Sequence, residues 1–148
     1  MHPFPHRYTV VTAAGPRGDV VLTSPRLQAL PTATPIEFDG PGDRWSPETL
    51  FVAAIADCYV LTFRGISAAS KLEWTSLSCE VTATLERVDR VTRFTEVAIR
   101  ARLQMPDDQA EAQAQRILAK AEETCLITRS LTATVHLDAA IEVGAAVA

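Results

Sequence analysis

The first part of the chain consists of short β-branched runs separated by turn residues. Residues 8–13 (YTVVTA) and 20–23 (VVLT) flank a Gly-Pro-Arg-Gly-Asp segment, a pattern that predicts a β-hairpin. Residues 24–35 contain three prolines, so we expect an edge strand or an extended loop there. Residues 1–45 are therefore predicted to form a β-hairpin and an extended arm.

A long helix is predicted from Ser46 to about Ala69. Ser46 can cap this helix, Pro47 suits its first position, and Glu48 complements the positive end of the helix dipole. Apolar residues recur at spacings of three and four, and they also occupy most of the remaining circumference. The predicted common face consists of Phe51, Ala54, Ile55, Cys58, Leu61 and Thr62. A helix that is apolar nearly all round is either buried centrally or covered by a partner subunit, which is a first indication of a dimer.

Strict alternation of apolar and polar residues predicts a second hairpin after this helix. Residues 75–88 and 94–103 alternate in the way that is typical of strands with one solvent-facing side. Asp89 and Arg90 lie between them and mark the turn.

One further helix and one strand complete the chain. Pro106-Asp107-Asp108 opens a helix whose apolar stripe ends at Cys125, and residues 131–143 alternate as a closing strand. Residues 46–148 thus read helix, β-hairpin, helix, strand. We expect a single α+β domain over residues 1–148, with antiparallel sheets, a long buried central helix and a second helix.

Composition and charge exclude several classes of protein. The chain has 148 residues, of which 47% are apolar, enough for a packed core and too many for a disordered segment. Uninterrupted apolar runs stop well short of the roughly 18 to 20 positions of a membrane span. The N-terminal residues 1–7 lack the apolar region of a secretory signal. With a net charge of −4 and scattered basic residues, we expect a cytoplasmic protein that binds neither nucleic acid nor membranes.

The three cysteines are the candidate reactive groups. Cys79 lies on the inward face of its predicted strand and is expected to be a small core residue. Cys58 suits either packing or chemistry, whereas Cys125 ends a helix among polar neighbours, a setting that favours reactivity. The three thiols and His136 offer four zinc ligands in principle, although no pair has the short spacing that makes such a prediction specific.

The segments around Cys58 and Cys125 resemble the paired signature motifs of the OsmC/Ohr family. Residues 46–59, SPETLFVAAIADCY, resemble (N/S)PE-x-L…A-x-x-x-CF, and residues 121–131, AEETCLITRSL, resemble A-x-x-x-CP-(V/I)-S-x-x-L. Residues 87–95 are similar to the hairpin turn between the two motifs. The resemblance covers nearly the whole chain and is strongest from about residue 40 to 143. The sequence departs from the motifs at three positions: Asp57, Tyr59 in place of phenylalanine, and Leu126 in place of proline.

The resemblance implies an activity and a site. It implies a thiol-dependent peroxidase that reduces organic hydroperoxides, forms an intertwined homodimer, needs an external dithiol reductant and uses no flavin, haem or metal. Cys58 is then the peroxidatic cysteine and Cys125 the resolving one, joined by a disulfide after oxidation. An apolar lining from Phe51, Ile55, Tyr59 and Phe63 would favour organic peroxides over hydrogen peroxide. The alternative is an OsmC-like stress-response or ligand-binding dimer without efficient turnover.

The same resemblance implies a carboxylate–arginine pair beside the peroxidatic thiolate. Glu48 matches the glutamate of the first motif. Arg17 lies in a segment that looks like the Gly-Arg-Asp-Gly turn of the Ohr branch, and Arg44, one turn before the helix, is the other candidate. In the OsmC branch the matching position would be Glu37, which is an acid. An arginine is suitable because a buried thiol ionises more readily beside a positive charge, and the guanidinium fork can hold sulfur and peroxide oxygen together.

Overall fold

The computed structural model of the protein describes residues 2–144. The chain divides between Phe51 and Val52 into two compact units. This boundary lies inside the first long helix, α1 (Pro47–Ala69). The first unit carries the N-terminal strands, and the second carries the larger sheet, most of α1 and the second helix.

The first unit contains a three-stranded antiparallel sheet in the order β1 (Val11–Ala13), β2 (Val20–Thr23) and β3 (Leu30–Thr32). The predicted hairpin is confirmed as β1 and β2. The proline-containing segment supplies β3, and Pro31 is tolerated because this strand lies at the edge of the sheet. A 3-10 turn at Ile36–Phe38 follows β3.

The bounds predicted for α1 are confirmed at both ends. Ser46 Oγ accepts a hydrogen bond from the Thr49 N–H group at 3.2 Å, and Thr49 Oγ1 accepts one from the Ser46 N–H group at 2.8 Å. This reciprocal capping supplies partners for donors at the helix start that would otherwise be unsatisfied.

The buried face of α1 differs from the predicted one. The buried residues form a single stripe with a spacing of four: Ile55, Tyr59, Phe63 and Ser67. Leu61, which was assigned to the common face, is 52% exposed. In the single chain α1 is thus buried along one stripe, and the covering of its other sides by a partner subunit stays a prediction. By length and mean hydropathy alone α1 could also cross a membrane, a test that core helices of globular domains pass too.

The second unit begins with the predicted long hairpin. β4 (Ser76–Val88) pairs antiparallel with β5 (Val91–Met105), which extends beyond the predicted strand at both ends. Asp89 and Arg90 form the turn with φ of 50° and 69°, the left-handed conformation that two-residue hairpin turns require.

The segment after β5 departs from the sequence prediction in two ways. Helix α2 (Glu111–Thr124) begins later than expected, because the Asp107 carboxylate accepts a hydrogen bond from the Gln109 N–H group and holds a turn there. Strand β6 (Thr134–Val143) pairs parallel with β5. The chain crosses back through α2 between these strands, and such a crossover connects parallel neighbours. The α+β class is confirmed, but the prediction of wholly antiparallel sheets is wrong for β5 and β6.

One core joins the second unit's sheet to its helices. It consists of alternate residues of β5 and one stripe from each helix: Val97, Ile99, Ala101, Leu103 and Met105, with Ala114, Ile117, Leu118 and Ala121, and with Ile55, Tyr59 and Phe63. The Tyr59 hydroxyl donates a hydrogen bond to the Leu118 carbonyl at 3.2 Å, which ties α1 to α2. Cys58 precedes Tyr59 along α1, so this contact holds it near α2.

Candidate active site

Cys58 and Cys125 meet in the second unit. Cys58 lies in the middle of α1, and Cys125 ends α2 with an extended backbone (φ −61°, ψ 120°). The two sulfur atoms are close enough to share a hydrogen bond. Cys125 is fully buried and Cys58 is half-buried, and both are free thiols. The two cysteines that the motifs single out are therefore neighbours in the fold.

Hydrogen-bond donors converge on the sulfur of Cys58. Burial opposes ionisation of this thiol, but donors from Cys125, the Ile127 N–H group, the Thr62 hydroxyl and the Leu126 N–H group together lower the pKa of Cys58. Thr62 Oγ1 lies 4.0 Å from the sulfur. None of these four donors carries a positive charge. Uncharged donors alone thus favour the thiolate of Cys58 in this unit.

Cys125 is affected in the opposite direction. Burial and the hydrogen bond that its thiol donates to Cys58 raise the pKa of Cys125, against smaller contributions from Thr128 and Ile127. Loss of a proton from the pair is therefore favoured at Cys58, and Cys125 keeps its proton more readily. This order of ionisation suits a nucleophilic sulfur beside a protonated neighbour.

Cys79 is a third thiol of a different kind. It lies on β4, half-buried opposite Ala101 of β5. Burial raises the pKa of Cys79 to about 11, and proximity to Cys125 adds to this effect, so it stays protonated at neutral pH. Within residues 2–144, no group of three or more His, Cys, Asp or Glu residues could hold a metal ion. His136 is exposed on β6.

The two candidate arginines both lie in the first unit. Arg44 is held by carboxylates: its Nε lies 3.1 Å from Asp19 Oδ2 and its Nη1 lies 3.0 Å from Asp43 Oδ2. Arg17 lies in the exposed turn between β1 and β2, and it forms no ion pair with any residue in the described part of the chain.

Glu48 lies in the first turn of α1, at a largely apolar cleft of about 390 Å³ in the first unit. Its Oε2 atom is buried and has no hydrogen-bond partner among residues 2–144. The described ion pairs place neither Arg17 nor Arg44 on this carboxylate. The pairing of Glu48 with an arginine therefore stays a prediction.

The donors around Cys58 were missed by the sequence analysis. The N–H groups of Leu126 and Ile127 belong to the backbone, so no pattern of side chains in the sequence predicts their role. Thr62 follows Cys58 by one helical turn but has no motif of its own. The one available signal was Leu126, because it replaces a proline of the related motif and leucine has an N–H group that proline lacks.

Comparison with known proteins identifies the family. The family model of OsmC-like proteins matches residues 40–140, which include both cysteines of the pair. The chain belongs to the OsmC-like protein family. The family resemblance noted in the two motifs is thereby confirmed, and so is the fold class.

Individual proteins match over almost the whole chain. The uncharacterized protein YmaD of Bacillus subtilis (strain 168) is 26% identical over 144 residues, covering 94% of this chain and 96% of YmaD. The structure of an OsmC-like protein of unknown function from Vibrio cholerae superimposes with a TM-score of 0.84 at 16% identity, covering 92% and 100% of the two chains. An organic hydroperoxide resistance protein OsmC from Legionella pneumophila gives a TM-score of 0.73 at 24% identity, covering 94% and 98%. These structural likenesses establish the fold.

Proposed function

We propose that this OsmC-like protein is a thiol-dependent peroxidase that reduces organic hydroperoxides in oxidative-stress defence. The observation that carries the proposal is the sulfur pair, in which Cys58 is favoured as thiolate and Cys125 as buried thiol. Peroxide attack needs a thiolate, and recycling needs a second thiol within reach of the first. The Legionella pneumophila structure, described as an organic hydroperoxide resistance protein, supports the same activity.

The proposed reaction uses both sulfurs in turn. The Cys58 thiolate attacks one peroxide oxygen, so that an S–O bond forms, the O–O bond breaks and the alkoxide leaves to become an alcohol by taking up a proton. Cys58 is oxidised to the sulfenic acid and the hydroperoxide is reduced. The Cys125 sulfur then attacks Cys58, and its proton leaves with the sulfenic hydroxyl as water. An external dithiol reopens the resulting disulfide by exchange.

The apolar contacts for an organic substrate differ from those the sequence suggested. Ile55, Tyr59 and Phe63 are fully buried in the core, so they are closed to a substrate. Leu126, beside Cys125, is 76% exposed. We assign the substrate's organic group to this leucine, where each methylene that it buries contributes about 0.8 kcal/mol.

The alternative is an OsmC-like stress-response or ligand-binding dimer without efficient turnover. It is favoured by the absence of positive charge among the donors on Cys58 and by the unpaired Glu48 Oε2 atom within the described residues. Under this alternative, all three thiols would remain titratable after exposure to excess cumene hydroperoxide.

Oxidation of the reduced protein with one equivalent of cumene hydroperoxide is the direct test. We expect the number of free thiols to fall from three to one, because Cys58 and Cys125 form a disulfide and Cys79 does not react. Thiol titration and peptide mapping by mass spectrometry measure this outcome. Cys79→Ser provides the control and should fall from two thiols to none. Retention of all three thiols in the parent protein would contradict the peroxidase proposal.

We also propose that the protein is a homodimer in the cytoplasm, where external dithiols are available as reductants. Along α1, Ala54, Leu61 and Ala68 recur at a spacing of seven and are exposed in the single chain. Covering this apolar row with a second copy would remove it from water. The free acceptor on Glu48 would also gain access to donors of the second copy.

Light scattering after size exclusion tests the dimer. We expect twice the mass of one chain for the parent and the mass of one chain for Leu61→Glu, because the substitution places a charge in the proposed interface. Val91→Glu, at an exposed apolar position beside the β4–β5 turn, is the matched control and should stay dimeric. A dimeric Leu61→Glu protein would exclude this face of α1.

A further inference from the structure

We propose that Thr128 is the positioning residue of the resolving thiol: its buried hydroxyl fixes the backbone of Cys125 and so holds the Cys125 sulfur within disulfide reach of Cys58. The inference rests on the proposed function for its role in recycling. The disulfide itself can be formed with a mild oxidant, so the positioning can be tested without a peroxide.

The position of Cys125 depends on the turn that ends α2. This residue has an extended backbone directly after the helix, and a 3-10 turn at Thr128–Ser130 follows it. The last carbonyl groups of a helix need partners from outside its regular ladder. The Cys125 N–H group donates to the Glu122 carbonyl at 3.3 Å, and the Arg129 N–H group donates to the Cys125 carbonyl at 3.1 Å. These two bonds hold Cys125 through the backbone.

The Thr128 side chain adds a third restraint to the same turn. Its Oγ1 atom lies 3.1 Å from the Cys125 carbonyl oxygen and 3.4 Å from the Glu122 carbonyl oxygen, so one hydroxyl proton is shared between the two acceptors. Thr128 is 6% exposed, and a hydrogen bond away from water is electrostatically stronger than one in contact with it. The hydroxyl therefore joins the last turn of α2 to Cys125 and limits the conformations that this residue adopts.

This restraint matters for chemistry because a disulfide has a narrow geometry. The bond requires Cα atoms within about 7 Å and a defined torsion between the two sulfurs. Cys58 is held in the middle of α1, whereas Cys125 lies beyond the last helical residue of α2. The turn thus decides where the second sulfur lies. A looser turn would lower the fraction of molecules in which the two sulfurs are oriented for bond formation.

Thr124 provides a matched control for the Thr128 hydroxyl. It is the last residue of α2, and its Oγ1 atom donates to the Lys120 carbonyl at 2.7 Å. Thr124→Val and Thr128→Val are the same substitution at the same end of the helix, and valine has nearly the shape of threonine. Both variants lose a hydroxyl that donates to a carbonyl, but Thr128→Val loses the one that reaches Cys125.

The equilibrium between the protein and oxidised glutathione tests the proposal. The Cys58–Cys125 bond forms, the glutathione disulfide breaks and two glutathione thiols are released, so that the protein is oxidised by two electrons. The measurement uses the Cys79→Ser background, in which Cys58 and Cys125 are the remaining cysteines. Acid quenching followed by mass spectrometry gives the fraction of protein with this disulfide.

In Thr128→Val we expect the equilibrium constant for disulfide formation to fall about fivefold, because the hydroxyl no longer restrains Cys125. The reduction potential should become about 20 mV less negative, at about 30 mV for each tenfold change. Thr128→Ser keeps a hydroxyl and should show the parent value, and so should Thr124→Val. An unchanged constant in Thr128→Val, or an equal fall in Thr124→Val, would overturn the proposal.

A second measurement covers the case in which Thr128→Val does not fold. In the parent protein the Thr128 hydroxyl proton should be observable by NMR, because a buried donor that is bonded to a carbonyl exchanges slowly with water. Thr128→Ala, which removes the hydroxyl together with a methyl group, should show the same fall in the equilibrium constant. A hydroxyl proton that exchanges too rapidly to be observed would overturn the proposal.

The consequence for recycling is measured separately from the equilibrium. With cumene hydroperoxide in excess, slower disulfide formation in Thr128→Val should raise the fraction of Cys58 that is found as the sulfinic acid. A parent protein that forms the disulfide with oxidised glutathione but consumes no hydroperoxide would refute the peroxidase function and leave this inference standing. A parent protein that forms no Cys58–Cys125 disulfide with oxidised glutathione would overturn the inference.

Discussion

Cys58→Ser is expected to abolish hydroperoxide consumption, lowering the rate with cumene hydroperoxide by roughly 10³-fold or more. The sulfur of Cys58 is the proposed nucleophile, and its hydrogen-bond donors stabilise a thiolate. A serine hydroxyl at the same place stays protonated at neutral pH and is a poor nucleophile towards an O–O bond. The loss of cumene hydroperoxide in the presence of dithiothreitol measures the effect.

Cys79→Ser is the control for this substitution. Cys79 is a half-buried thiol whose pKa is raised to about 11, so it is protonated at neutral pH and is expected to take no part in the reaction. Its serine variant should consume peroxide at the parent rate. If Cys58→Ser were as active as the parent, the assignment of the nucleophile would be wrong.

Cys125→Ser is expected to consume about two equivalents of hydroperoxide when peroxide is in excess and no dithiol is present, against about one for the parent protein, which stops at the disulfide. Serine preserves a hydroxyl donor of similar size beside Cys58, so the first step should continue. Without a resolving thiol, the sulfenic acid on Cys58 persists and reacts with more peroxide to give the sulfinic acid, which dithiols do not reduce.

Mass spectrometry distinguishes the two fates of Cys58. In Cys125→Ser we expect a dimedone adduct on Cys58 early and two added oxygen atoms later. The parent protein should instead show the Cys58–Cys125 disulfide and recover fully on addition of dithiothreitol. Sustained turnover by Cys125→Ser, with no oxygen addition at Cys58, would show that another group resolves the sulfenic acid.

The activation of Cys58 has a physical basis that is independent of an arginine. Burial disfavours a thiolate, yet one thiol, one hydroxyl and two backbone amides together outweigh it. Backbone amides are fixed dipoles that need no reorganisation when the charge appears. A guanidinium such as that of Arg17 would add to this stabilisation and could also hold the peroxide, and its role beside Glu48 remains a proposal.

Much of the fold was determined by local sequence patterns. Capping chemistry at Ser46 and the change of pattern after Ala69 predicted both ends of α1. Alternation predicted β4 and β5 with their turn at Asp89 and Arg90, because a strand with one buried face repeats every two residues. Such patterns are local, so they can be recognised in the sequence without knowing what packs against each element. The two cysteine motifs likewise identified the family before the fold was known.

Tertiary structure decided what these patterns leave open. Alternation in β6 sets which residues face inward, but strand direction depends on the path of the chain through α2, and β6 lies parallel to β5. Because α1 is apolar on nearly all sides, its sequence leaves open which side is buried. In the structure the buried side is the stripe that contains Tyr59 and Phe63. The donors from Leu126 and Ile127 are backbone N–H groups, which almost every residue has, so the sequence does not distinguish them. Their position beside Cys58 depends on the turn after Cys125. The sequence thus determined the elements and the pair of thiols, whereas the packing of α1 beside the end of α2 determined which of the two sulfurs ionises more readily.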